Sequence, residues 1–159
     1  MANINQMLDD AKTLLSKSKF EDAEIIFNEI LKIEPKYFKA YINIGVICIN
    51  LNKLYEAEKN FKKAIEIKDD FELAYFNLGT IQEKLGKNEE AEKNFKKAID
   101  LNQNYVEAYT NLGTLFIGIS NFEDAEKFLK KAIEIKPDLS EAHYNLGLTQ
   151  SLLGKDDLA

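Results

Sequence analysis

The sequence repeats itself at a step of 34 residues. Three closely similar twelve-residue segments begin at Glu56, Glu90 and Asp124, and a more diverged copy begins at Asp22. A fixed period of this length is typical of solenoid proteins, in which each unit packs only on its neighbours. The repeat therefore predicts an array of stacked units rather than one domain around a central core.

Each period reads as two amphipathic helices. In the third period, apolar residues from Leu73 to Leu85 keep helical spacing, the segment 86–88 interrupts them, and a second helix starts near Glu89. Glutamates of the second helix stand four residues before lysines, which favours a solvated outer face. These pairs are Glu58 with Lys62, Glu92 with Lys96, and Glu126 with Lys130.

Glycines also recur at the 34-residue step, inside the first helix of each period. They are Gly45, Gly79, Gly113 and Gly147. Glycine within a helix costs about 0.5–1 kcal/mol relative to alanine, so its recurrence predicts a close approach by a neighbouring helix. We expect small residues on the second helix to face these glycines, namely Ala57, Ala91 and Ala125. Larger residues are expected to fill the gaps between layers, namely Phe27, Phe61, Phe95 and Leu129.

The spacing resembles the tetratricopeptide repeat, whose pattern is W-x₂-L-G-x₂-Y, then A-x₃-F, then P. The third period supplies this pattern as Tyr75, Leu78, Gly79, Ala91 and Phe95. The resemblance implies an all-α fold, an α-solenoid that forms a right-handed superhelix of antiparallel helix pairs. It predicts one array over residues 4–159, with four units at 4–37, 38–71, 72–105 and 106–139 and a partial fifth at 140–159.

Composition excludes several classes of ligand. All 21 basic residues are lysines and the net charge is −6, so nucleic acid is not an expected partner. With one cysteine and one histidine the chain has no Cys/His zinc site, and we expect neither a metal nor a cofactor. The longest apolar-rich run, 41–51, is shorter than the ~20 residues that span a bilayer. These features predict a cytoplasmic protein that does not engage a membrane.

No catalytic constellation stands out, and we expect a protein that is not an enzyme. His143 replaces the aromatic residue of the repeat pattern, which indicates a structural role. Ser140 is close by in sequence, but serine followed by glutamate is typical of a helix N-cap. Phosphate-binding and metalloprotease motifs do not occur in the sequence.

A repeated asparagine marks the candidate binding site. Each of four first helices carries an asparagine two residues before its glycine. Residues three and four positions away share that helix face. In the tetratricopeptide family this stripe lines the concave groove, so the resemblance implies a peptide-binding groove. Its predicted residues are Lys39, Ile42, Asn43, Val46, Leu73, Phe76, Asn77, Thr80, Glu107, Thr110, Asn111, Thr114, Tyr144, Asn145 and Leu148. The alternative is that the asparagines tie helices together locally.

Two functions remain open at this point. One is a non-catalytic protein-protein interaction scaffold that binds a peptide segment of a protein partner in the groove. The other is a substrate-recruiting N-terminal arm of a larger transferase-type enzyme, since such arrays are often joined to transferases. The fifth unit carries Leu146, Leu152 and Leu153, as an internal helix would, which predicts an exposed apolar patch and end-to-end self-association through the C-terminal helix.

Overall fold

The computed structural model describes residues 3–154, and across this range the chain forms nine α-helices and no strand. The helices are α1 (Ile4–Ser16), α2 (Phe20–Ile33), α3 (Phe38–Asn50), α4 (Leu54–Ile67), α5 (Glu72–Lys84), α6 (Asn88–Leu101), α7 (Val106–Gly118), α8 (Phe122–Ile135) and α9 (Ser140–Leu152). Odd-numbered helices have 13 residues and even-numbered helices have 14. The predicted all-α repeat solenoid is confirmed.

The backbone divides into two compact units, the first ending at Ile81 and the second beginning at Gln82. Within the first unit α1 packs on α2, α2 on α3, and α3 on α4. Within the second unit α6 packs on α7, α7 on α8, and α8 on α9, and α7 also contacts α9. Packing between helices close in sequence is what a solenoid requires.

Each first helix ends in the same left-handed turn. The residues with positive φ recur at the repeat step: Ser18, Asn52, Gly86, Ser120 and Gly154. The amide of the next residue then bonds back over the helix end; for example, Lys53 N donates to Cys48 O at 2.8 Å and Lys87 N donates to Gln82 O at 2.8 Å. This is the Schellman arrangement, which satisfies carbonyls at the helix end. The predicted break at 86–88 is such a turn.

The repeated glycines lie under large side chains of the following helix. A Cβ added to Gly45 would be 2.7 Å from Cε1 of Phe61, and one added to Gly113 would be 2.6 Å from Cγ of Leu129. The predicted close approach is therefore present at both positions. At Gly147 it is absent, since no atom of the described residues comes within 4 Å of an added Cβ.

At Gly45 and Gly113 the nearest side chains are not the predicted alanines. Phe61 and Leu129 make the contact, and each stands sixteen residues after its glycine. Glycine provides the space that a ring or a branched side chain needs against the helix backbone. The alanines are fully buried elsewhere on the second helices, at Ala57, Ala91 and Ala125.

The Glu–Lys pairs form as predicted, but two of the three glutamates, Glu58 and Glu126, are largely covered rather than solvated. The pairs are Lys62–Glu58 (2.7 Å), Lys96–Glu92 (2.7 Å) and Lys130–Glu126 (3.0 Å). Only 7% of the Glu58 side chain is exposed. Glu126 also accepts a hydrogen bond from Nε2 of Gln150 on α9 at 3.2 Å, so this edge of α8 is turned toward a neighbouring helix.

The N-cap of α9 is Leu139, and Ser140 is the first residue of the helix. No side chain caps the free amides at this helix start. The prediction that Ser140 caps α9 is therefore wrong, because the helix begins one residue earlier than a cap at Ser140 requires.

Replacing Gly113 by alanine should destabilise the protein by about 1–3 kcal/mol, because the added methyl group displaces the buried Leu129. Gly147→Ala is the matched control at the same register of α9. There the methyl group meets open space, and we expect a gain of about 0.5–1 kcal/mol from the better helix former. Urea unfolding of both variants measures these changes. Equal shifts in the same direction would contradict this packing.

Candidate functional site

The predicted stripe is carried by α3 and α5 in the first unit. On α3, Lys39 and Val46 are exposed and Asn43 is half-buried. On α5, Leu73 is exposed, whereas Phe76, Asn77 and Thr80 are half-buried. Apart from Ile42, the predicted residues of this unit thus retain at least part of their surface for contact with a ligand.

In the second unit the stripe is carried by α7 and α9, which contact each other. Nδ2 of Asn145 donates a hydrogen bond to Oγ1 of Thr114 at 3.1 Å and so joins the two helices. Tyr144 is 73% exposed and Leu148 is 41% exposed. We call this surface the α7–α9 face; it consists of Glu107, Asn111, Thr114, Glu141, Tyr144 and Leu148.

Two predicted site residues are buried. Ile42 is 6% exposed and Thr110 is 2% exposed, so neither presents its side chain to a ligand in this structure. The hydroxyl of Thr110 donates to the carbonyl of Val106 at 3.0 Å, within its own helix. Both stand at the same register of the repeat as Phe76 and Tyr144, which retain exposed surface. Spacing identifies the register, but packing decides how much of each side chain is covered.

The four asparagines differ in their hydrogen bonds. Nδ2 of Asn43 donates to the carbonyl of Lys39 at 2.7 Å, and Asn145 bonds to Thr114. The amides of Asn77 and Asn111 make no hydrogen bond to any residue in the described range 3–154. The Asn145 contact matches the helix-tying alternative, whereas Asn77 and Asn111 keep both donor and acceptor available.

The threonines of the stripe add little hydrogen-bonding capacity. Thr80 donates to the carbonyl of Phe76 at 3.0 Å, and Thr114 donates to the carbonyl of Thr110 at 3.0 Å. Because these hydroxyl protons are already engaged within the helix, the free hydrogen-bond donors of the stripe are mainly amides.

The fold alters the protonation of Glu83 on α5. Its side chain is half-buried, and burial raises the pKa of its carboxyl above the ordinary value, while the nearby Lys84 opposes this in part. A raised pKa means that ionised Glu83 is less favourable in the folded state than in the unfolded one.

The chemistry expected of a catalytic or metal site is not found among residues 3–154. Cys48 is buried, and burial is the main cause that raises the pKa of its thiol, which keeps the sulfur protonated and unreactive. His143 lies with Nε2 2.8 Å from the carbonyl oxygen of Pro137. No group of three His, Cys, Asp or Glu side chains in the described range could hold a metal ion. In that range no helix is long and apolar enough to cross a bilayer.

A cavity of about 640 Å³ beside α4 was not predicted from the sequence. Its lining residues are Tyr41, Tyr55, Glu58, Lys59, Asn60, Lys62, Lys63 and Glu66. Lys62 pairs with Glu58 and Lys63 pairs with Glu66, both at 2.7 Å, so most of its positive charge is neutralised within the helix. The lysine triplet that recurs in α4, α6 and α8 is the signal that could have drawn attention to it.

Sequence models of the tetratricopeptide repeat match residues 38–71, 70–138 and 128–159. These matches agree with the repeat pattern of the sequence and with the helix pairs of the structure. A comparison with curated proteins finds no match.

Three solved structures illustrate the similarity of fold. A crystal structure of MamA is 23% identical with a TM-score of 0.89, covering 97% of this chain and 84% of that one. YrrB, described as a TPR protein with an unusual peptide-binding site, is 23% identical with a TM-score of 0.81 over 95% of this chain and 78% of that one. The first TPR of Spaghetti (RPAP3), bound to the HSP90 peptide SRMEEVD, is 22% identical with a TM-score of 0.72 over 74% of this chain and 93% of that one. At these identities the likeness shows a shared fold.

Replacing Glu83 by glutamine should stabilise the protein at about pH 7, where the parent carries a half-buried charge. The stabilisation that the parent gains from a protonated Glu83 is fully present below the ordinary glutamate pKa and is lost as the pH rises through the raised one. The advantage of the variant should therefore shrink toward about pH 4. Urea unfolding of parent and variant at both pH values measures this. A difference that does not change with pH would contradict the burial of the charge.

Proposed function

We propose that this chain, which belongs to the tetratricopeptide repeat family, is a non-catalytic protein-interaction scaffold that binds a peptide segment of a partner along the stripe. The observation that carries the proposal is on the α7–α9 face. There the large side chains of Tyr144 and Leu148 stay exposed on α9, which contacts α7, and the amide of Asn111 on α7 has no hydrogen bond within the described range. Exposed apolar groups combined with a free amide suit a peptide, whose backbone repeats donors and acceptors whatever its side chains are.

The energetics indicate how the affinity would be divided. A hydrogen bond contributes about 0.5–1.5 kcal/mol net, so two free amides supply about 1–3 kcal/mol. A dissociation constant of 1 μM corresponds to about 8.2 kcal/mol. Burying a large apolar side chain contributes about 1.5–3 kcal/mol, so apolar contacts must supply most of the binding energy. On this proposal Tyr144, Leu148, Val46 and Leu73 provide those contacts.

Two of the structures with a similar fold support a peptide as the ligand. YrrB is described as having a peptide-binding site, and the RPAP3 repeat domain was solved with a peptide bound. Both are below 25% identity, so they support the class of ligand and carry no information on which residues of this chain bind it.

The asparagines can be tested with peptides selected from a random twelve-residue displayed library against the whole chain. Asn77→Ala and Asn111→Ala should each weaken binding about twofold to tenfold, as the loss of one hydrogen bond predicts. Asn28→Ala is the control, because Asn28 is exposed on α2 and bonds only to the carbonyl of Glu24. Thermal unfolding shows that the variants are equally folded. If both site variants bind with unchanged affinity, the asparagines are not part of the binding surface.

We also propose that α9 pairs end to end with a second copy of the chain. Leu152 is 50% exposed, and Gly147 lacks the covering side chain that Gly45 and Gly113 have within the described residues. A helix from a second copy would bury this surface, as Phe61 buries the backbone at Gly45.

Sedimentation velocity over a range of concentrations tests this association. The parent should shift toward a dimer as its concentration rises, and Leu152→Asp should shift the equilibrium back toward the monomer. Ile25→Asp is the matched control, since Ile25 on α2 is 61% exposed and lies away from α9 in sequence. A parent that stays monomeric at every concentration would contradict the proposal.

A further inference from the structure

We infer that the α7–α9 face selects peptide segments in which a lysine or arginine lies beside a large apolar side chain. The inference rests on the proposed function and specifies the chemistry of the partner. It follows from the combination of unpaired carboxylates and exposed apolar groups on two helices that contact each other.

Within residues 3–154 no lysine pairs with the carboxylates of the face. Glu107 and Glu141 are exposed, and neither forms an ion pair with a residue in the described range. They stand at equivalent positions 34 residues apart, each the second residue of its helix, so both lie toward the same end of the face. Neither α7 nor α9 contains a lysine. The face therefore carries a negative charge that an incoming cation can neutralise.

Three lysines of the neighbouring helices pair with carboxylates of their own helices. On α8, Lys130 pairs with Glu126 at 3.0 Å and Lys131 pairs with Glu134 at 2.7 Å. On α6, Lys96 pairs with Glu92 at 2.7 Å. Because these ammonium groups bond to carboxylates of their own helices, the charge of the α7–α9 face remains complementary to a basic segment.

An apolar strip runs beside the charge. Glu141, Tyr144 and Leu148 follow each other at spacings of three and four residues, so they share one side of α9. A lysine or arginine near Glu141 can lay its alkyl stem along Tyr144 and bring its charge over the aromatic ring. A neighbouring apolar side chain of the partner then covers Leu148. A purely acidic or purely apolar segment would satisfy only part of this surface.

Helix stability offers a competing explanation for the two glutamates. An acidic residue in the first turn stabilises a helix through its dipole, and both Glu107 and Glu141 occupy first turns. Glu123 occupies the first turn of α8, is exposed and is not part of the face. Removing its charge changes helix stability and net charge in the same way, which makes Glu123→Gln the matched control.

The experiment uses the whole chain and peptides selected against it from a random twelve-residue displayed library. We expect the selected peptides to be enriched in lysine or arginine next to a large apolar residue. Glu107→Gln and Glu141→Gln should each weaken their binding about twofold to fivefold, and Glu123→Gln should not. Raising the salt concentration from ~50 mM to ~500 mM should weaken peptide binding by the parent more than peptide binding by the double variant Glu107→Gln/Glu141→Gln.

The outcomes separate this inference from the proposed function. If Tyr144→Ala weakens binding but the peptides show no basic enrichment and the glutamine variants bind like the parent, the inference is overturned and the peptide site stands. If no selected peptide is weakened by Tyr144→Ala or Asn111→Ala, the peptide site itself is overturned, and the inference with it.

Discussion

The contact of a large side chain with a glycine backbone is the interaction on which the helix pairs depend. Phe61 lies over Gly45 and Leu129 lies over Gly113, in each case sixteen residues after the glycine. The missing Cβ lets the ring or the branched side chain reach the backbone, which sets the spacing and register of the two helices. The third period holds Gly79 and Phe95 at the same two positions, so one local contact can be repeated along the array.

That contact also determines which surface remains for a ligand. The glycine side of α7 is turned toward α8, while the asparagine two residues earlier points to another part of the helix surface. Because one side of each helix packs against its neighbour, the helix keeps its register when residues of the stripe change. The register position that holds Lys39 therefore holds Leu73, Glu107 and Glu141 in later repeats without a change of fold. The framework is constant, and the side chains of the stripe vary along it.

The sequence predicts the features that follow from period and spacing. The 34-residue repeat, the family, the two helices per repeat and the break at Gly86 all depend on patterns within one or two helices. The start of the second helix near Glu89 differs by one residue from the observed start at Asn88. Left-handed conformations at Ser18 and Ser120 were not predicted, because serine gives no local sign of a turn that glycine marks clearly at Gly86.

Predictions about individual side chains succeed less often, because burial depends on the neighbouring helix. Ile42 and Thr110 share a register with Phe76 and Tyr144, yet only the latter two retain exposed surface. The spacing of Glu58 and Lys62 predicts a solvated ion pair, but the Glu58 side chain is buried. For the same reason, the α7–α9 face could not be predicted from the sequence alone. Spacing places Asn111 and Asn145 at one register, and only their contacts show that Asn145 is bonded to Thr114 while Asn111 is left with an amide to offer a ligand.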